Sequence, residues 1–309
     1  MRFKIKNKLY YNESIWGIGI CEINFFDEIY NLNKKFKQVL SNKDVTDTKA
    51  VFLADPFVIK KNNIWYLFFE VYEKKNKKGV IGLATSYNLK EWKYEKIILE
   101  EDFHLSYPYV IEEDGDIYMV PETGESGYIK IYKAIEFPYK WECVKNIVKG
   151  KYWDSSLFKF NNKWWMLSQT QTPQIDSLAL FSCDSLLGEW KECEVSTIIT
   201  KNKSISRPGG RVIINGNKII RFAQDYSKYY GERVKAIEIK KLNENKYEEN
   251  ELGIVIDRDN TSNTWNKDGM HTIEIIKNKN DYFIIADGFY YKRINKIIDK
   301  IYSFLLRHK

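Results

Sequence analysis

One outline recurs along the chain: a polar or charged group opens an apolar strand, a turn of Asn, Asp or Gly follows, and an apolar partner strand returns. It is sharpest at Ala54-Asp55-Pro56-Phe57, followed by Ile64-Trp65-Tyr66-Leu67-Phe68-Phe69-Glu70. It reappears at Leu105-Ser106-Tyr107-Pro108-Tyr109 with Tyr118-Met119-Val120-Pro121-Glu122, and at Trp153-Asp154-Ser155-Ser156-Leu157-Phe158 with Trp164-Trp165-Met166-Leu167. A fourth copy joins Arg207-Pro208-Gly209-Gly210-Arg211 to Ile219-Ile220-Arg221-Phe222-Ala223-Gln224-Asp225, and a fifth opens near Gly269-Met270-His271-Thr272-Ile273-Glu274. In the first unit this pattern predicts four short strands, Pro56–Lys60, Trp65–Glu70, Val80–Ser86 and Lys96–Leu99, joined by tight hairpins. Trp92, Trp141 and Trp190 follow turn-rich segments at a constant spacing of 49 residues. A period of about 50 residues with four strands per unit predicts a β-propeller.

The fold class expected is therefore all-β, a five-bladed β-propeller over residues 1–289, with blades opening near Asp55, Tyr107, Asp154, Arg207 and Gly269. The apolar run around Ile15–Asn24 would add outer strands to the last blade and close the ring, which removes exposed sheet edges. Residues 290–309 read differently. Ile294, Ile297, Ile298, Ile301, Tyr302, Leu305 and Leu306 form a helical stripe, with Lys296, Lys300 and Arg307 off it. Such a basic amphipathic helix suits either an anionic membrane surface, contacted through residues 292–309, or packing against the propeller or a second subunit.

Charge sharpens this contrast. The chain carries a net charge of +7 over 309 residues, and the last eighteen hold six basic residues against the single acid Asp299. The rest is close to neutral, so no nucleic-acid partner is expected. Aromatic residues make up 16% of the chain, with 22 Tyr and 9 Trp, which fits strands and a ring-binding surface. The cysteines Cys21, Cys143, Cys183 and Cys193 form no C-x-x-C pair, which argues against a zinc site and a disulfide framework. No apolar h-region follows Met1 and no run reaches the length needed to span a bilayer, so a cytoplasmic protein, at most peripheral on the membrane, is expected.

The inner strand of each propeller blade begins at the functional mouth, so the residues opening each unit are the ones to weigh. Asp55 leads: Asp-Pro keeps the backbone extended, and the carboxylate either caps a turn or projects into the mouth. Glu122, Asp154 and Asp225 hold related positions, and several carboxylates around one mouth push their pKa values apart, separating an acid from a base. Asp55, Glu122 and Asp154 are the candidate catalytic residues. His104, Tyr107, Arg207, Arg211, Gln224, Asp225 and His271 are the candidate substrate contacts. Arg207 and Arg211 flank Pro208-Gly209-Gly210, where backbone could approach a ligand closely, and a guanidinium fork suits phosphate; salt bridges to Asp154 or Asp225 are the alternative. His308 reads as surface charge. Asp257-Arg258-Asp259 matches a D-x-D only as a loop tripeptide. No metal site and no cofactor are expected: H-E-x-x-H and Gly-rich phosphate loops are both missing, as is G-x-S-x-G.

Leu53-Ala54-Asp55-Pro56-Phe57, His104-Leu105-Ser106-Tyr107-Pro108, Tyr118-Met119-Val120-Pro121-Glu122, Arg207-Pro208-Gly209-Gly210 and Ala223-Gln224-Asp225, with Tyr230-Gly231 after them, carry a resemblance. Over residues 50–290 the chain resembles the N-terminal domain of glucosamine inositolphosphorylceramide transferases and its stand-alone bacterial relatives. More distantly it is similar to the five-bladed arabinanase, xylosidase and invertase type of glycoside hydrolase. The resemblance implies a sugar-active propeller with Asp55 as the first-blade carboxylate and Glu122 or Asp154 as the second. Those hydrolases place an acid Glu in a later blade, where this chain has no matching Glu, and the plant enzymes' separate transferase domain has no counterpart in these residues. The reading is a glycosyltransferase of bacterial surface polysaccharide or glycolipid synthesis. Its partners would be an activated sugar donor, nucleotide- or lipid-phosphate-linked, and a glycan or glycolipid acceptor. A glycoside hydrolase or a non-catalytic glycan-binding propeller is the alternative.

Overall fold

The computed structural model describes residues 9–259 and 264–307. Five antiparallel sheets follow one another around a ring. The first blade comprises Ala50–Lys61, Ile64–Glu73, Gly79–Ser86 and Lys93–Leu99. The second comprises Ser106–Glu113, Asp116–Glu122, Tyr128–Glu136 and Lys140–Lys149, and the third Tyr152–Phe160, Lys163–Thr170, Ser177–Cys183 and Lys191–Glu192. In the fourth, the inner edge is broken into Arg207–Pro208 and Ile213–Asn215, both paired with Lys218–Asp225, outside which lie Arg233–Asn243 and Lys246–Asp257. Asp257 thus ends a strand and pairs with Arg233 at 3.5 Å, so only Arg258 and Asp259 of the D-x-D tripeptide are loop.

The last blade is built from both ends of the chain. Ile273–Asn278 and Asp281–Asn295 come from the C-terminal side, Tyr10–Ile23 and Lys37–Leu40 from the N-terminal side. Tyr10–Ile23 pairs with Asp281–Asn295 along its whole length, from Tyr10 opposite Asn295 to Ile23 opposite Tyr282. That ladder moves the boundary expected at residue 290. Ile294 lies opposite Tyr11 in the sheet, and the helix starts only at Lys296, where Asn295 Oδ1 caps the amides of Ile297 (2.9 Å) and Ile298 (3.3 Å). The helix runs Lys296–Arg307; the side chains of Tyr302, Leu306 and Arg307, and all of His308, lie outside the described residues.

The periodic tryptophans have a common job. Each donates its indole N–H back to a turn carbonyl: Trp92 to Leu89 (2.8 Å), Trp141 to Pro138 (2.8 Å) and Trp190 to Leu186 (3.0 Å). Each pins the hairpin between the third and fourth strands of its blade, which accounts for their regular spacing. The core lies between neighbouring sheets. Phe57, Phe68, Leu83, Tyr109, Met119 and Trp141 interleave across blades one and two, and Val58, Leu67, Phe69, Ile276 and Ile285 across blades five and one.

Three inner strands share an irregularity that aims the site. A bulge interrupts the ladder between Ala54 and Phe57, between Ser106 and Tyr109, and between Trp153 and Ser156. Inside each bulge one residue has left-handed backbone: Asp55 (φ 56°), Tyr107 (φ 45°) and Asp154 (φ 50°). Such values are rare away from glycine and persist only where surrounding contacts over-determine them. The extended conformation expected for Asp55 before Pro56 is thus overturned, because hydrogen bonds to both its backbone and its carboxylate hold it. A bulge turns a side chain that would lie in the sheet toward the end of the strand.

Candidate active site

The second strands supply one polar side chain per blade at the same level. Glu70 lies opposite Ala54, Glu122 opposite Ser106, Gln169 opposite Trp153 and Gln224 opposite Arg207, while Asp287 donates its amide to Thr272 O (3.3 Å). All five are buried. With Asp55 and Asp154 from the bulges they form a ring of acids and amides around the mouth. Solvent reaches it past Tyr230, exposed by 48%, and past the partly exposed side chains of His104 and Arg207.

Asp55 is locked on every side. Its amide donates to Asp287 Oδ2 (2.9 Å), its Oδ1 accepts from Thr272 Oγ1 (2.7 Å), and its Oδ2 accepts from the Tyr107 amide (3.2 Å). His271 stands between two acids, with Nδ1 at 2.7 Å from Asp287 Oδ2 and Nε2 at 3.8 Å from Asp55 Oδ1. Asp287 Oδ1 accepts the amides of His271 (3.0 Å) and Thr272 (2.9 Å). Trp16 from the N-terminal strand covers the imidazole at a centroid distance of 4.2 Å. Asp55, His271 and Asp287 bring one ligand atom each within 4.8 Å of one another. Because N–H and O–H donors already occupy the oxygens of both carboxylates, the group is built as a hydrogen-bonded chain rather than a cation cage.

Asp154 is held differently. Its Oδ2 accepts from Arg207 Nε (2.5 Å) and from Gln224 Nε2 (2.7 Å), and Gln224 also donates to Pro208 O (2.8 Å). Its Oδ1 is buried and, among the described residues, has no hydrogen-bond partner. The Arg207 guanidinium stacks over Tyr230 at 5.2 Å, and among the described residues neither Nη1 nor Nη2 has a hydrogen-bond partner. The site therefore offers an unsatisfied carboxylate oxygen next to a cation with donors to spare. Buried polar atoms are nearly always bonded, and exceptions concentrate where a ligand or water completes the set.

Glu122 accepts the Gly124 amide on Oε1 (2.5 Å) and the Ser106 hydroxyl on Oε2 (3.5 Å). His104 lies between it and Glu70: Nε2 is 3.6 Å from Glu70 Oε1 and 4.0 Å from Glu122 Oε2, and Nδ1 accepts the Gly79 amide (2.9 Å). An Nδ1 that accepts leaves the ring proton on Nε2, facing the two acids. Burial holds His104 below its ordinary pKa despite Glu125 nearby, so this imidazole is neutral at pH 7.

Burial and mutual repulsion separate the carboxyls. Burial raises Glu70 well above its ordinary value, with Asp55, Glu122, Asp154 and Asp287 adding to the effect. Burial also lifts Glu122 to about 8, against the pull of the Gly124 amide and with Asp154 reinforcing it. Asp55 rises to about 6, again through burial, which the His271 charge offsets in part. For His271 burial acts downward, but Asp287 outweighs it and the net direction is up. At neutral pH the mouth thus holds protonated Glu122, with Glu70 shifted in the same direction, beside the ion pair of Arg207 with Asp154.

Several expected substrate contacts belong to the wall instead. Tyr107 is fully buried, and its hydroxyl is engaged by Ser156 Oγ (2.9 Å), the Gly210 amide (2.7 Å) and Gly210 O (3.2 Å). Arg211 sits farther down the channel, bonded to Glu274 Oε1 (2.8 Å) and Val110 O (3.0 Å) and stacked on Tyr109. Asp225 caps the turn after its strand through the Ser227 amide (3.1 Å) and hydroxyl (2.6 Å) and faces Lys235 at 3.6 Å. The inward residue at that strand end is Gln224. The close backbone approach at Pro208-Gly209-Gly210 is to blade five, not to a ligand. Gly209 O accepts the Ile273 amide (2.9 Å), and a Cβ on Gly210 would lie 2.0 Å from Ile273 O. Glu70, Asp287 and Trp16 were not among the expected site residues. Glu70 could have been found, since it closes the strand expected from the sequence, Trp65–Glu70, as Glu122 closes its own.

Several solved glycoside hydrolases share this fold. A thermostable family-43 glycoside hydrolase is 16% identical at a TM-score of 0.59, covering 79% of this chain and 90% of its own. An exo-β-1,3-galactanase from Clostridium thermocellum is 11% identical at a TM-score of 0.57, covering 78% of this chain and 60% of its own. At such identities the likeness establishes the five-bladed fold alone. In sequence, glucosamine inositolphosphorylceramide transferase 1 of Oryza sativa subsp. japonica is 33% identical over 230 residues, 72% of this chain and 31% of that protein. The Arabidopsis thaliana protein of the same name is 31% identical over 245 residues, 77% of this chain and 32% of its own. The chain thus spans about a third of the length of these curated relatives. Residues 37–288 match the family model for the N-terminal part of glucosamine inositolphosphorylceramide transferase 1, and the chain belongs to that family.

Proposed function

We infer that this propeller transfers a sugar from a phosphate-activated donor, a nucleoside diphosphate sugar or a lipid-phosphate sugar, to a hydroxyl of a glycolipid or surface-polysaccharide acceptor. The observation that carries the reading is Asp154, whose Oδ2 is held by Arg207 and Gln224 while its buried Oδ1 lacks a partner among the described residues. In the proposed step the acceptor hydroxyl gives its proton to Asp154 Oδ1 as its oxygen bonds the anomeric carbon. The bond from that carbon to the donor phosphate breaks, and its electron pair leaves on the phosphate oxygen. Arg207 Nη1 and Nη2 take up the developing charge, and Glu122, protonated at neutrality, donates a proton or hydrogen bond to the leaving group. Asp55, with both oxygens engaged, acts through the relay of His271 and Asp287 as a positioning residue, not as the base.

The plant proteins that the chain resembles in sequence are named as transferases, which supports transfer over hydrolysis, and the fourth blade's inward position carries the Gln224 amide rather than a carboxyl acid. The names of the plant relatives suggest an inositolphosphorylceramide-type acceptor. The test incubates the protein with a panel of nucleoside diphosphate sugars and inositolphosphorylceramide or polyprenyl phosphate acceptors, and follows labelled sugar into the lipid fraction. Product should form with one pair and fall by about 10²- to 10⁴-fold in Asp154→Asn. Release of reducing sugar from oligosaccharides would make it a hydrolase. Glycolipid binding unchanged by Asp154→Asn, with no turnover of any donor, would make it a recognition module.

A further inference from the structure

The C-terminal helix stands on the same face of the propeller as the mouth. Asp287 marks the level of the mouth on the strand Asp281–Asn295, which continues eight residues beyond it, paired with Tyr10–Gly17. At about 3.4 Å per residue this ribbon is about 27 Å of strand past that level before the helix begins. The first helical turn is then tied back to the mouth-side turn of blade one. Asp299 pairs with Lys74, four residues beyond Glu70, and accepts from the Tyr11 hydroxyl (3.1 Å). The helix is therefore docked at its start and presented above the site.

Its outward face is apolar. Ile297, Ile298, Ile301 and Leu305 are exposed by 56%, 66%, 57% and 54%, on a single helical stripe. Lys292, Arg293, Lys296 and Lys300 flank this stripe and are exposed. The acids nearby include Asp299, already neutralised by Lys74, Glu13, which lies opposite Lys292 in the ribbon, and Glu73, which is buried beside Lys74. The exposed tyrosines Tyr10 and Tyr291 stand on the same ribbon, the side-chain type that settles at the boundary between headgroup and acyl chain. A helix of 12 residues is about 18 Å long, too short to cross a hydrocarbon core of about 30 Å, but suited to lying in its surface.

We propose that this face docks on an anionic lipid bilayer and holds the propeller mouth against the membrane. The charge pattern selects this occupant. A second copy would bring the same basic flanks to the contact, whereas acidic headgroups neutralise them. The proposal is compatible with the transfer reaction proposed above and gives it a lipid-side acceptor, but the docking surface stands on geometry of its own.

The test uses the full chain with sedimented vesicles of phosphatidylcholine alone or with phosphatidylglycerol. The parent should bind the mixed vesicles, more weakly as salt rises, and phosphatidylcholine alone poorly. Ile298→Asp with Ile301→Asp should lower the bound fraction at least tenfold, and Lys296→Glu with Lys300→Glu should weaken binding about fivefold or more per charge. All four positions are exposed, so these variants keep the fold, and an unchanged Tm checks it. Equal binding of parent and Ile298→Asp/Ile301→Asp would overturn the proposal. So would a parent that sediments as a dimer, becomes a monomer in that variant and ignores vesicles. Transfer to a water-soluble acceptor separates the two proposals. It should survive Ile298→Asp/Ile301→Asp while transfer to a vesicle-embedded acceptor falls, and absence of transfer everywhere would count against the reaction without touching the docking surface.

Discussion

The pairing of Arg207 with Asp154 holds the site together electrostatically, and Arg207→Met tests it. The substitution keeps most of the side-chain length and leaves Asp154, 2% exposed, with Gln224 Nε2 as its remaining donor. Breaking a buried pair on one side costs about 3–5 kcal/mol if the charge stays. The carboxyl has an escape, which is to take up a proton. For a group with an ordinary pKa near 3.9 that costs about 4 kcal/mol at pH 7 but only about 1.5 kcal/mol at pH 5, at 1.36 kcal/mol per unit. The smaller of the two penalties sets the loss, so it should be about 4 kcal/mol at pH 7 and about 1.5 kcal/mol at pH 5. The sign follows from linkage. Taking up a proton costs a buried carboxyl more as pH rises, so the variant's deficit should grow from pH 5 to pH 7. Urea unfolding of parent and variant at both pH values measures the gap. Arg207→Met with Asp154→Asn, which leaves no charge behind, should show a smaller gap that does not change with pH. A gap in the single variant below about 1 kcal/mol, or one that stays constant between pH 5 and pH 7, would refute the claim that this carboxylate depends on its arginine.

Transfer should follow a bell-shaped pH profile. The acid limb arises as Asp55, raised to about 6, takes up its proton and discharges the relay, and the alkaline limb arises as Glu122, raised to about 8, loses its own. In Glu122→Gln the alkaline limb should vanish from kcat/KM, and Tm should fall less between pH 5 and pH 9, since a folded pKa above the ordinary one makes the parent lose stability as pH rises through about 8. Tyr107→Phe leaves the Gly210 amide without its partner and should cost about 1–3 kcal/mol of stability in urea unfolding while KM stays within about twofold. A rise in KM with no loss of stability would return Tyr107 to the substrate.

Much of the fold was legible because propeller blades repeat. Asp55, Tyr107 and Asp154 open comparable strands, and the evenly spaced tryptophans mark one hairpin in three blades, so period and outline agree without reference to any contact. The tail boundary was not legible. Ile294 fits the helical stripe as well as it fits a strand, and only the partner at Tyr11, nearly three hundred residues away, decides between them. Non-local pairing of this kind overrides local pattern. Among the site residues, those at strand openings could be read, and those at strand ends could be read only to within one position. Asp225 and Gln224 are neighbours, and side chains in a strand alternate between faces, so a shift of one residue exchanges a turn cap for a ligand of Asp154.

The bulges limit what a reading of motifs can assign. An Asp before a Pro looks the more specific signal, and Asp55 accordingly ranked above Asp154. Once folded, the order reverses. The left-handed turn at Asp55 points its carboxylate to the Thr272 hydroxyl and the Tyr107 amide, which engage both oxygens, whereas at Asp154 the same turn leaves Arg207 and Gln224 reaching only one oxygen. Two residues with the same backbone and the same side chain thus differ in what their neighbours leave undone. Chemistry is available at the one left incomplete, because a buried oxygen without a donor gains most from a substrate hydroxyl, and among the described residues Asp154 Oδ1 has no hydrogen-bond partner.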